Sequence, residues 1–128
     1  TTTGALVSKE HMEKVLYYIN LAKEEGGNIL LGGDQPDFSG TEQEGGYFVN
    51  PTIITGLGPH TRCQQEEIFG PVVTVYPFKT EDEVLEYANC VAYGLSSSVW
   101  TRDIKRAQRI ALRLQAGTVW INCWLVVS

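Results

Sequence analysis

The residues best suited to chemistry stand together in the stretch Gln64-Gln65-Glu66-Glu67-Ile68-Phe69-Gly70-Pro71. Two adjacent carboxylates suggest acid/base work. Neighbours on a helical turn point about 100° apart, however, so Glu66 and Glu67 are not expected to share a proton, and residue types alone make them a solvated helix end. Phe69, beside a strand, reads as core on the same basis. His60 and Cys63 are spaced like two metal ligands on one turn, but a metal needs three or four, and the remaining histidine is the distant His11. No metal site is expected. A thiol enzyme would need an activated cysteine, and none of Cys63, Cys90 and Cys123 stands in a Cys-Gly or Cys-x-x-Cys context. Gly56-x-Gly58 lacks the third glycine of a dinucleotide fingerprint and reads as a turn.

The elements that must position these residues follow from periodicity. A helix begins near Ser8, with Met12, Val15, Leu16, Ile19 and Ala22 on its buried face and Gly26-Gly27 as its stop. Ile29-Leu30-Leu31 is a short strand, and residues 34–46 are a surface loop. Tyr47-Phe48-Val49 and Thr52-Ile53-Ile54 are strand-like on either side of Pro51. The Gly70-Pro71 step sets a bend between a short helical turn and a buried strand over 72–76. Thr80-Glu81-Asp82-Glu83 is a capping box for a helix whose inner face is Val84, Leu85 and Ala88. A strand over 95–101 follows, then a helix from Asp103 with Ile104, Ala107, Ile110, Ala111 and Leu114 inward. Its outer face carries Lys105, Arg106, Arg109 and Arg113. Those four cations read as a solvated face, because no aromatic residue interleaves them as an RNA-binding surface requires. Gly117 ends the helix, and residues 118–123 form a last strand. Strands alternating with helices predict an α/β fold, a largely parallel twisted sheet with flanking helices.

The 128 residues fit one domain without disulfide staples, and no repeat or composition shift marks a second. A formal charge of -5 argues against nucleic acid or an anionic membrane as partner. Three cysteines suit a reducing compartment, and neither a long apolar run nor a signal peptide is present in the sequence. A cytoplasmic location is the expectation.

Glu-Glu-Ile-Phe-Gly-Pro at 66–71 resembles a signature of the aldehyde dehydrogenase superfamily. Pro51-Thr52-Ile53-Ile54, Ala88-Asn89, Tyr93-Gly94-Leu95-Ser96 and Gly117-Thr118-Val119-Trp120-Ile121-Asn122-Cys123 resemble further family blocks, in family order. The likeness runs from Gly4 to about Leu125, and Asn122-Cys123-Trp124-Leu125 looks most like the muconic semialdehyde dehydrogenases.

The resemblance implies that residues 1–128 are a single partial domain, the C-terminal part of a catalytic domain whose Rossmann domain, nucleophilic cysteine and general-base glutamate lie upstream. The parent is then an NAD-dependent oxidoreductase (NADP being possible) that oxidises an aldehyde to an acid through a cysteine thiohemiacetal. In that family Glu67 and Phe69 meet the nicotinamide end of the cofactor and no catalytic residue falls in this stretch, while Glu66 points elsewhere, so Glu66→Gln should be nearly silent. Position 127, typically an arginine in the muconic semialdehyde group, is Val127. The strand over 118–123 is the family's edge strand, implying a homodimer or homotetramer formed through it. The other reading is an inactive truncated family member that serves as an assembly or interaction module.

Overall fold

The computed structural model describes residues 3–126, so Val127 lies outside the described residues. The single domain expected over 1–128 is organised as two compact units, Thr1–Tyr76 and Pro77–Ser128. Each has its own sheet and helices, a mixed α/β architecture.

In the first unit, helix α1 (Lys9–Glu24) starts where the Ser8 hydroxyl accepts from the His11 amide at 3.2 Å. Strands β1 (Asn28–Leu31), β2 (Thr52–Thr55) and β3 (Val72–Val75) form one sheet in the order β1-β2-β3. β2 runs antiparallel to β1 and parallel to β3. Between β2 and β3 lies one helical turn, α2 (Arg62–Gln65).

The core forms where α1 covers one face of this sheet. Val15, Ile19 and Ala22 of α1 and Ile54 of β2 are fully buried, with Met12, Tyr18, Val49, Leu57 and Cys63 beside them. The predicted helix face is thus correct except that Tyr18 is buried and Leu16 only half-buried. Complete burial of an isoleucine contributes about 1.5–3 kcal/mol, so Ile19 and Ile54 anchor helix to sheet. Thr52 is the one buried polar residue among the core positions, and its hydroxyl is satisfied: it donates to the Asn50 carbonyl at 2.8 Å and accepts from the Gly33 amide at 2.9 Å.

Two expectations for this unit need correction. Residues 47–49 do not form a strand: Asn50 turns back to bond Asp34 through both its amide and its side chain, which leaves no continuous ladder before Pro51. The strand after the bend is not buried on both faces. Val72 and Thr74 face α1, whereas Val73 and Val75 alternate to the uncovered side and are about half exposed.

In the second unit, helix α3 (Glu81–Asn89) is capped as the sequence indicates, Thr80 accepting from the Glu83 amide and Glu83 reaching back to the Lys79 amide. Strand β4 (Ser96–Val99), helix α4 (Ile104–Arg113) and strand β5 (Thr118–Ile121) follow as a crossover, with β4 parallel to β5. Asp103 caps α4 by accepting from the Lys105 and Arg106 amides. Ala107 and Ile110 face inward, but Ile104, expected among them, is exposed.

The outer face of α4 is exposed, as the sequence suggests, and three of its four cations also reach α3. Arg106 and Arg109 both bond Glu81 of α3, and Arg113 bonds Asp82. β5 also stops earlier than expected, at Ile121. Asn122 takes a left-handed φ of 53°, which no strand can continue, and its side-chain amide closes on the backbone of Thr101 from both sides at 2.8 and 2.9 Å.

Candidate dinucleotide loop

Residues 66–71 leave α2 and enter β3 without regular structure of their own, and one face of α1 supports them. His11, Lys14, Val15 and Tyr18 follow the i, i+3, i+4, i+7 spacing of a helical stripe, and each touches a different part of the segment. Tyr18 donates to the Glu66 carboxylate at 2.6 Å, and Lys14 donates to the Glu67 carbonyl at 3.0 Å. His11 Nε2 bonds the Phe69 carbonyl at 2.6 Å. A carbonyl only accepts, so Nε2 carries the proton. Val15 closes the set: a Cβ on Gly70 would lie 2.6 Å from its Cγ2, which makes glycine a requirement of the close approach.

With its backbone held this way the loop turns two side chains outward. The Glu67 carboxylate is exposed and bonds no group among the described residues. Phe69 is 73% exposed, in a left-handed backbone at φ 59° that a bulky residue seldom adopts. Both findings correct the residue-type reading: Phe69 is not core, and Glu67 lies beyond the helix end in chain without regular structure.

Glu66 is the opposite case: it points elsewhere, as expected, but its carboxylate is tied to neighbouring side chains and is not simply solvated. Arg62 grips its carboxylate with Nε at 2.7 Å and Nη2 at 3.0 Å, a two-point fork one helical turn apart. Arg62 first, and the Tyr18 hydroxyl second, hold the Glu66 carboxyl down at about 2, while the same bond to Glu66 raises the Tyr18 phenol. Arg62 also donates to the Tyr17 hydroxyl at 3.0 Å, tying α2 to α1.

α2 itself lacks a side-chain cap from Thr61. Glu25 substitutes, accepting from the Arg62 amide at 2.8 Å and the Cys63 amide at 3.3 Å. Burial pushes the Glu25 carboxyl up, but these bonds and the Arg62 charge outweigh it, and the net shift is downward. Burial, then Glu25, pushes the Cys63 thiol up to about 12, so this cysteine stays protonated and is no nucleophile at neutral pH. Its partner in the sequence, His60, is not joined by further ligands: among the described residues no group of three or more His, Cys, Asp or Glu could hold a metal.

The supporting residues His11, Lys14, Tyr18, Arg62 and Glu25 do not stand out in the sequence. For His11, Lys14 and Tyr18 the helical spacing of positions 11, 14, 15 and 18, which runs beside the apolar stripe, is a signal that could have found them; Arg62 and Glu25 carry none.

An α/β chain with this loop at the mouth of a parallel strand belongs to the aldehyde dehydrogenase family, whose model matches residues 1–128. It is 52% identical over 96% of its length to 2-aminomuconic semialdehyde dehydrogenase of Danio rerio, and 52% identical over 95% to 4-trimethylaminobutyraldehyde dehydrogenase A of the same fish. Its fold matches betaine aldehyde dehydrogenase of Staphylococcus aureus, solved in complex with NAD+, with a TM-score of 0.92 at 44% identity over 99% of the chain. In each case the chain spans about a quarter of the relative's length.

The Glu66 network makes a prediction about acid stability. A carboxyl depressed from 4.5 to about 2 stabilises the fold fully above the ordinary value, and that contribution is lost as pH falls through the lower one. Between those limits the melting temperature of the wild type should fall more steeply with acid than that of Glu66→Gln. Parallel curves across that window would show that Glu66 is not held as described.

Proposed function

We propose that this chain is the part of an NAD(P)-dependent aldehyde dehydrogenase that receives the nicotinamide end of the cofactor. The observation that carries the reading is the pairing of a fixed backbone with two outward side chains, Glu67 and Phe69, in a family member whose structural relative binds NAD+. An exposed carboxylate offers several lone pairs and is suited to two neighbouring ribose hydroxyls. An exposed ring on a left-handed residue is suited to lie against a flat heterocycle and limit its swing. The residues present therefore fit the cofactor, which supplies the hydride acceptor when bound.

In this reading Glu67 orients and Phe69 restricts, and neither forms a covalent bond. The nucleophile and general base belong to a segment upstream, and residues 1–128 are the C-terminal part of the catalytic domain. Its relatives are named for different aldehydes, so the substrate is assigned as an aldehyde and no further. No helix among the described residues is long and apolar enough to cross a membrane. Assembly into a homodimer or homotetramer is assigned to the edge of β5 that β4 leaves unpaired, where neither Pro nor Lys blocks pairing.

A hydrogen bond to a charged group contributes about 1.5–3 kcal/mol, which corresponds to roughly tenfold or more in an equilibrium. In the full-length enzyme Glu67→Gln should weaken cofactor binding or slow hydride transfer by roughly that factor, read by cofactor titration and single-turnover absorbance. Wild-type behaviour of Glu67→Gln would reject the assignment. The 128-residue chain alone should give no reduced-cofactor absorbance with NAD and a panel of aldehydes. Turnover that persists through repurification and vanishes on replacing Cys90 or Cys123 would overturn it. For assembly, velocity sedimentation should show Thr118→Lys, at an exposed position of β5, shifting the enzyme toward monomer; an unchanged oligomer removes β5 from the interface.

A further inference from the structure

His11 and Lys14 are surface residues of α1 whose side chains could have stayed in solvent, and instead each spends its polar end on a backbone carbonyl of the loop. We propose that His11 and Lys14 are positioning residues that hold residues 66–70 in the conformation presenting Glu67 and Phe69. The functional meaning of this rests on the reading above, while the clamp itself stands on geometry alone.

The segment between α2 and β3 has no ladder of its own. Its internal backbone bonds are confined to its ends, from the Glu66 amide to the Arg62 carbonyl and from the Val72 amide to the Gly70 carbonyl. In between, a left-handed Phe69 must be stabilised from outside, because a bulky side chain in that region clashes with its own carbonyl neighbourhood. The outside contacts come from α1. His11 fixes the Phe69 carbonyl and its ring meets the Phe69 ring edge to face, with centroids 6.1 Å apart. Lys14 fixes the Glu67 carbonyl two residues earlier. Two carbonyls held by one rigid helix fix the Glu67–Ile68 and Phe69–Gly70 peptide planes, and with them the directions in which Glu67 and Phe69 leave the chain.

Solvated surface residues would leave the loop indifferent to their removal. Lys23, an exposed α1 lysine that reaches only Asn20, is the control.

The test uses the full-length enzyme without cofactor, with glutamyl endopeptidase cleavage after Glu67 as the readout and fragments identified by mass. His11→Ala and Lys14→Ala should each speed that cleavage on the order of tenfold, a factor corresponding to loss of a hydrogen bond of ordinary strength, while Lys23→Ala leaves it unchanged. His11→Gln, which restores an N–H donor, should recover slow cleavage. NAD titration should then show weaker binding in the two alanine variants, with kcat at saturating cofactor changed less than Kd. Unchanged cleavage in both alanine variants overturns the clamp. Faster cleavage at all glutamates together with a lowered melting temperature also overturns it, since that would be general destabilisation. Faster local cleavage with unaltered NAD affinity upholds the clamp and removes its link to the cofactor; Glu67→Gln, tested separately, decides whether the cofactor reading itself has failed.

Discussion

The grip of α1 on the segment between α2 and β3 is the constraint on which the rest of the first unit depends. Its apolar stripe binds the sheet through Val15, Ile19 and Ala22, and the adjoining stripe binds the loop through His11, Lys14 and Tyr18. Val15 belongs to both, buried in the core and pressed against Gly70. A helix fixed by its core contacts thus becomes a rigid ruler for a loop with no regular structure of its own, and precision at the loop derives from packing elsewhere.

Neighbouring carboxylates divide the work. Glu66 turns inward to Arg62 and Tyr18, which keeps it ionised and spent on structure. Glu66 has extended backbone, and Glu67, next in the chain, is exposed and bonds no group among the described residues. The second unit uses the same chemistry differently. The two-point fork from Arg109 and the single bond from Arg106 to Glu81, which hold that carboxyl down at about 2, fasten α3 to α4.

Much of the fold was legible in the sequence because local rules and tertiary packing agree there. Ser8, Thr80 and Asp103 announce helix starts and do cap them, and the 3.6-residue spacing of α1 marks the face that is buried. Residue types misled where a single backbone angle or a single distant partner decides. Residues 118–123 read as a uniform strand, yet the left-handed Asn122 ends it early. Residues 72–76 read as wholly buried because apolar β-branched residues do not reveal that only one face of the sheet is covered. Phe69 reads as core from its residue type, and the structure exposes it, because the left-handed backbone turns the side chain out. Its anchors His11 and Lys14 stayed hidden because they bind carbonyls, which carry no sequence signal.

If, as proposed, the backbone clamped by α1 presents Glu67 and Phe69 to the nicotinamide end of a dinucleotide, bound cofactor must touch both side chains. The most direct test is a crystal structure of the full-length enzyme with NAD bound. A Glu67 carboxylate oxygen is expected within about 3 Å of a nicotinamide-ribose hydroxyl, with the Phe69 ring against the nicotinamide and the bond from His11 to the Phe69 carbonyl retained. A cofactor bound with Glu67 in solvent and Phe69 turned away from the nicotinamide would contradict it.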